Sequence, residues 1–236
     1  LNCLQKGMCN LEKHISNCVY HFGVKVLVAI NHFNHDTQAE IDFLINAVET
    51  LGCKAVVCKH WAQGGAGASN LAQEVVRAIE QNAPAFNASL SDSPLLNSMS
   101  SDLNFSNTPN LNSQFKFLYP DNLSLLLKIE MIANKIYGAD KVEFSAQAAV
   151  KLKLFEFEYA HFPVCIAKTQ YSFSTDSIMR GAPTGHTLQV TDLRLSRGAG
   201  FIVAVCGAIL TMPGLPKVPA SARIDVSDLG EIIGLS

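Results

Sequence analysis

Two apolar, β-branched runs, VKVLVAI at 24–30 and KAVVC at 54–58, bracket a segment whose hydrophobic residues recur at helical spacing. This pattern limits the fold more than any other feature of the chain. Continuous apolar runs of this length are the mark of strands covered on both faces, as in a parallel sheet. Between them Thr37 and Glu40 have capping-box spacing, Ile41, Phe43, Leu44, Ala47, Val48 and Leu51 form one helical face, and Gly52 ends it. A second helix follows over 69–81, with Ser69 as its expected cap. Strand, helix, strand and helix joined by short connections predict parallel βαβ units with a right-handed crossover. The expected class is α/β, with a sheet of the P-loop-NTPase-like, or Rossmann-like, kind.

Three regions are expected. Residues 1–82 carry the βαβα pattern, preceded by a helical opening over 1–20. From 83 to 115 the chain turns rich in serine and asparagine and almost free of charge, which reads as a disordered surface insertion. Residues 116–236 form a smaller α+β region. Its helices are predicted over 122–137 and 145–159, and its strands from 163 and over 186–195 and 201–206. A Pro/Gly loop follows at 211–217, then a small hairpin around Gly230.

A formal charge of -2 and a pI near 6.4 supply no broad basic field, so a nucleic-acid groove or an anionic membrane surface is not expected. No apolar run approaches the length of a bilayer span, and a cytoplasmic location is the expectation. The seven cysteines include no C-x-x-C pair and read as reduced, mostly buried thiols. His32 with His35, or Cys58 with His60, does not make the four-ligand set of a zinc site, so no metal site is expected. Leu1 is not a methionine and the opening reads as the middle of a helical region, as in part of a longer chain.

In parallel sheets ligands bind beyond the carboxyl ends of the strands. Two loops leave those ends, NHFNHDT at 31–37 and KHWAQGGAGAS at 59–69, and they place Phe33 and Trp61 early, where each side chain can face a shared crevice. Two facing aromatics make a slot for a planar heterocycle, each stacking contact being worth about 1–3 kcal/mol. The alternative is that Trp61 packs as ordinary core. The glycines are not a Walker A loop, because no Lys-Ser or Lys-Thr follows at the required spacing. Nor are they a dinucleotide fingerprint, since Asn70 stands three residues after Gly67. They are expected to let the backbone pass close to a ligand or a neighbouring strand.

Several long strings resemble the C-terminal portion of formate-tetrahydrofolate ligase (formyltetrahydrofolate synthetase): NLEKHI at 10–15, FGVKVLVAINHFNHDT, HWAQGGAGA, KIYGADKVEFS, PVCIAKTQYSFS, PTGHTLQV, RGAGFIVAV and TMPGLPKVPA. The resemblance implies a cytoplasmic, ATP-dependent ligase that makes formyl phosphate from formate and passes the formyl group to the N10 amine of tetrahydrofolate. It implies ATP with Mg2+ as a substrate complex, a monovalent cation as an allowed requirement, and no tightly bound cofactor. The assembly implied is a homo-oligomer, tetrameric in the family.

By the same resemblance Phe33 and Trp61 are the two walls of the pterin site. Asn31, Asp36, Gly64, Gly65, Lys168, Gln170, Arg197, Pro213, Gly214 and Leu215 are candidate substrate or nucleotide contacts. The chain departs from the family pattern at His32, Asn34, Gln63, Ala66 and Ala208. The family's ATP phosphate loop belongs to an N-terminal part with no counterpart in these residues, so the chain is expected to be inactive without that part. The reading from a different class is a stand-alone, non-catalytic folate-binding or assembly module.

Overall fold

The computed structural model describes residues 1–80, 115–209, 214 and 216–235. The Ser/Asn-rich stretch, except Phe115, lies outside the described residues.

Helix α1 (Asn2–Ser16) passes directly into a π-helical turn (Asn17–His21) that ends at Gly23, whose φ of 66° is the left-handed conformation glycine adopts without strain. Strand β1 (Leu27–Asn31) begins later than the apolar run, and α2 (Gln38–Thr50) follows. The expected capping box is present: the Thr37 side chain accepts from the Glu40 amide while the Glu40 carboxylate accepts from the Thr37 amide at 2.9 Å. Strand β2 (Lys54–Cys58) pairs with β1 in parallel, Leu27 opposite Lys54 and Asn31 opposite Cys58. The predicted βαβ unit is therefore present.

After β2 the chain departs from expectation. The segment read as a loop forms one helical turn, α3 (His60–Gln63), then a 3-10 turn (Gly64–Ala68) that runs into α4 (Ser69–Glu80). Ser69 is thus the first residue of a continuing helical path and not its cap, and its hydroxyl donates back to the Gly65 carbonyl at 3.5 Å. A cap is not required where preceding turns already receive the helix's first amides.

The chain re-enters at Phe115, which stacks on Phe22 with centroids 5.5 Å apart and planes at 5°. Helices α5 (Leu125–Lys135) and α6 (Ala146–Tyr159) are capped by Ser124 and Ser145, whose hydroxyls accept from the amides three residues on. Between them lies β3 (Ala139–Phe144), a strand missing from the sequence expectation. It joins β4 (Val164–Ala167), β5 (His186–Ser196) and β6 (Phe201–Cys206) in a sheet of order β3-β5-β6-β4. The pairs β3–β5 and β4–β6 are parallel and β5–β6 is antiparallel, so the sheet is mixed. A two-stranded hairpin, β7 (Asp225–Val226) with β8 (Ile232–Ile233), sits where one was expected around Gly230.

Two hydrophobic clusters hold these elements. One joins α1 and the π-turn (Met8, Ile15, Val19) to α2 and its C-terminal end (Val48, Leu51, Cys53). The other fills the space between α5, α6 and the mixed sheet through Leu125, Ile129, Ala148, Leu188, Leu193 and Ile202. Among the described residues no helix is long and apolar enough to cross a membrane.

Candidate functional site

Asn31 and Cys58 are paired at the carboxyl ends of β1 and β2, and the register continues one step further, where the His32 amide donates to the Cys58 carbonyl at 3.0 Å. The two aromatics follow at once on the same edge. Asp36 fixes the first: its carboxylate accepts from the Phe33 amide at 2.8 Å, and its own amide donates to the Phe33 carbonyl at 3.0 Å. Trp61 rides on α3. Its turn is closed by the Lys59 amide donating to the Gly67 carbonyl at 3.0 Å.

The rings face each other with centroids 6.3 Å apart and planes tilted by 50°. Phe33 is 39% exposed and Trp61 is 69% exposed, so neither belongs to the hydrophobic core of the described residues. A flat ring between two others needs about 7 Å between the outer planes, two contacts of roughly 3.5 Å. Less than an ångström of opening and a rotation of the exposed indole would supply it. A cleft of about 400 Å³ adjoins Phe33, lined also by Leu4 and Leu11 of α1, Asn31, Asp36 and Ile41.

The glycines divide by role. Gly64 has φ 56° and ψ -143°, a conformation closed to L side chains, and it turns the chain out of α3. Gly65 has open space around it. Gly67, absent from the sequence-derived candidates, is the tight one: a Cβ there would lie 2.5 Å from the Lys59 carbonyl oxygen and 2.7 Å from the His60 nitrogen. The close approach is thus to the chain's own β2 end.

Lys168 and Gln170 lie beyond the carboxyl end of β4. They line a cavity of about 570 Å³ together with Asn10 and His14 of α1, Tyr137, Tyr171, Phe173 and Arg180. The Lys168 ammonium donates to the carbonyls of Thr169, at 3.0 Å, and of Ser172, and sits 4.9 Å from the centre of the Tyr137 ring. Serine hydroxyls lace the same loop: Ser172 Oγ accepts from the Ser174 amide at 2.9 Å and Ser174 Oγ from the Asp176 amide at 3.0 Å. Helix α1 borders both cavities, Leu4 and Leu11 on one and Asn10 and His14 on the other.

Arg197 does not join either group. It occupies the β5–β6 turn, 3.7 Å from Glu158 and 75% exposed, at the opposite end of β6 from Lys168. Gly214 is exposed, and Pro213 and Leu215 lie outside the described residues. Gln63 and Ala66 are exposed on the turn that carries Trp61. No sequence spacing singled out Asn10, His14 or Arg180; only the packing of α1 against the 168–180 loop brings them together.

Burial pushes the imidazoles of His14, His21 and His186 below their usual value, and the Lys168 ammonium adds to this at His14 and His186, the Lys13 ammonium at His21. Unfolding frees these rings to bind protons near their ordinary value of 6.5, so the unfolded chain holds more protons below that pH. Thermal stability is therefore expected to fall between about pH 7.5 and pH 5.5, and to fall less in His21→Asn, as melting curves would show. Burial also raises the thiol of Cys206 to about 12 and that of Cys53 to about 11, which makes both poor nucleophiles. Among the described residues no group of three or more His, Cys, Asp or Glu side chains could hold a metal ion.

The family model described as formate-tetrahydrofolate ligase matches the chain in two segments, residues 1–103 and 98–236. The chain belongs to the formate-tetrahydrofolate ligase family. It is 48% identical over 236 residues to the formate-tetrahydrofolate ligase of Sinorhizobium medicae, with 100% of this chain and 36% of that protein covered. It is 43% identical over 235 residues to the formate-tetrahydrofolate ligase of Methylococcus capsulatus, with 100% and 37% covered. The chain thus spans little more than a third of the length of the ligases it matches.

Proposed function

We propose that this chain is the folate-binding C-terminal part of an ATP-dependent ligase that forms 10-formyltetrahydrofolate from formate and tetrahydrofolate. The observation that carries this reading is the Phe33–Trp61 pair, two exposed rings 6.3 Å apart at the carboxyl ends of parallel strands. A pteridine entering between them would replace two solvent contacts by stacking on both faces, worth about 1–3 kcal/mol for each ring. Asp36 would keep the Phe33 backbone in place, and the Gly64–Gly67 turn would set the height of the indole. Adjoining β1, the apolar cleft would accommodate less polar parts of the ligand or of the enzyme.

The two-stranded parallel sheet fits a portion of a larger doubly wound sheet, because parallel strands are stable only when covered and extended by neighbours. Phosphorylation of formate by ATP with Mg2+ needs a phosphate-binding loop, and this sequence has no Walker A motif. The chain alone would therefore bind folate without turnover, and the N-terminal part of the same enzyme would supply the chemistry within a homo-oligomer.

Equilibrium dialysis of tetrahydrofolate against the wild-type chain and Phe33→Ala tests the reading. One lost stacking contact is expected to weaken binding by about fivefold to a hundredfold. Equal affinities would remove the aromatic site, and formate-dependent ADP release by the isolated chain would contradict its dependence on another part.

A further inference from the structure

The cavity beyond β4 holds positive charge that no ion pair among the described residues neutralises. Its cationic groups are the Lys168 ammonium, the Arg180 guanidinium and, at acid pH, the His14 imidazole, and no carboxylate is among the residues that line it. Neither Lys168 nor Arg180 forms an ion pair among the described residues, whereas Lys54, Arg77, Lys151, Arg194 and Arg197 all do. Lys168 uses its protons on two backbone carbonyls, so it clasps the loop and contributes its field to the cavity. Arg180 lies with its guanidinium 5.2 Å from the centre of the Tyr171 ring, a cation–π contact, and donates no hydrogen bond to a side chain or backbone group among the described residues. Asn10 and Gln170 add neutral amide donors, and Tyr137, Tyr171 and Phe173 give the walls an aromatic surface.

We infer that this cavity is an oxyanion-binding subsite, in which Arg180 at the rim, supported by His14, Asn10 and Gln170, takes a carboxylate or phosphate group of a small molecule while Lys168 holds the loop and sets the potential. An oxyanion there would receive charge-assisted hydrogen bonds from a planar fork whose geometry matches it. It would also relieve the repulsion that Lys168 exerts on His14. The subsite goes beyond the aromatic pair and does not depend on it.

Calorimetric titration of the full 236-residue chain with inorganic phosphate and, separately, with glutarate tests the inference. Saturable binding of either probe, weakened about tenfold or more in Arg180→Gln and in His14→Gln at acid pH, supports the subsite. Binding of phosphate alone identifies a phosphate ligand, binding of glutarate alone a carboxylate ligand. Arg180 is exposed, so Arg180→Gln is expected to keep the wild-type melting temperature. Arg77→Gln, on α4, serves as the control for loss of one positive charge and should leave both affinities unchanged. No saturable binding, or equal affinity in wild type and Arg180→Gln, overturns the subsite. Tetrahydrofolate binding by the wild-type chain separates the two sites: folate bound with no saturable anion binding counts against this cavity alone, and anion bound with no folate binding counts against the Phe33–Trp61 reading alone.

Discussion

Lys128→Ala is expected to lower the stability of the chain by about 3–5 kcal/mol. Lys128 is fully buried in α5, and its ammonium donates to the carbonyls of Asp121 at 2.7 Å, Ala160 at 2.7 Å and Phe162 at 3.1 Å. One cation thereby ties the start of α5 to the end of α6 and to the entry of β4. Burial alone pushes the ammonium below its ordinary value, and the nearby Asp121 and Glu156 carboxylates push it back up. Removing the side chain leaves three carbonyls without a donor and a cavity beside Leu125 and Ile129. Lys128→Met separates these effects. It keeps most of the apolar volume and loses the ammonium, its donors and its charge together, so its cost should be smaller, about 2–3 kcal/mol. Chemical denaturation of both variants checks the order: two equal costs would assign the effect to the lost ammonium alone, and a Lys128→Met chain as stable as wild type would assign it to the cavity alone.

The second large effect is expected at Gly67. A methyl group there meets the backbone of Lys59 and His60, which cannot move without opening the turn that the Lys59 amide closes on Gly67. Gly67→Ala should therefore displace Trp61 and weaken tetrahydrofolate binding by about tenfold or more, at a stability cost of about 1–3 kcal/mol. Gly65→Ala, with open space around its Cβ, should leave both properties close to wild type. A Gly67→Ala chain that binds folate as tightly as wild type would show that the turn does not set the indole's position.

These residues also show what a one-dimensional reading can and cannot reach. The capping box at Thr37 and Glu40 and the apolar runs around α2 were legible because helix caps and buried parallel strands depend on neighbours a few residues apart. The placement of Phe33 and Trp61 at one edge followed from the same local pattern. Strand β3 was not legible: ADKVEF has charged residues on the face that remains exposed, and it becomes a strand by pairing with β5 more than forty positions away. The turn bearing Trp61 looked like loop because glycine runs score against helix, yet the tight Lys59–Gly67 approach is what the third glycine permits.

Lys128 would be assigned to a solvated face by type, and only the convergence of three carbonyls makes its burial tolerable. Arg197 and Lys168 appear equivalent as motif residues. The antiparallel return of β5 into β6 sends them to opposite ends of the sheet.

Titration of tetrahydrofolate against the intrinsic fluorescence of Trp61, the only tryptophan in the chain, tests the two-ring site most directly. Saturable quenching is predicted, shifted to higher ligand concentration in Phe33→Ala. An indole emission that does not change at any folate concentration, in a chain that melts normally, would contradict it.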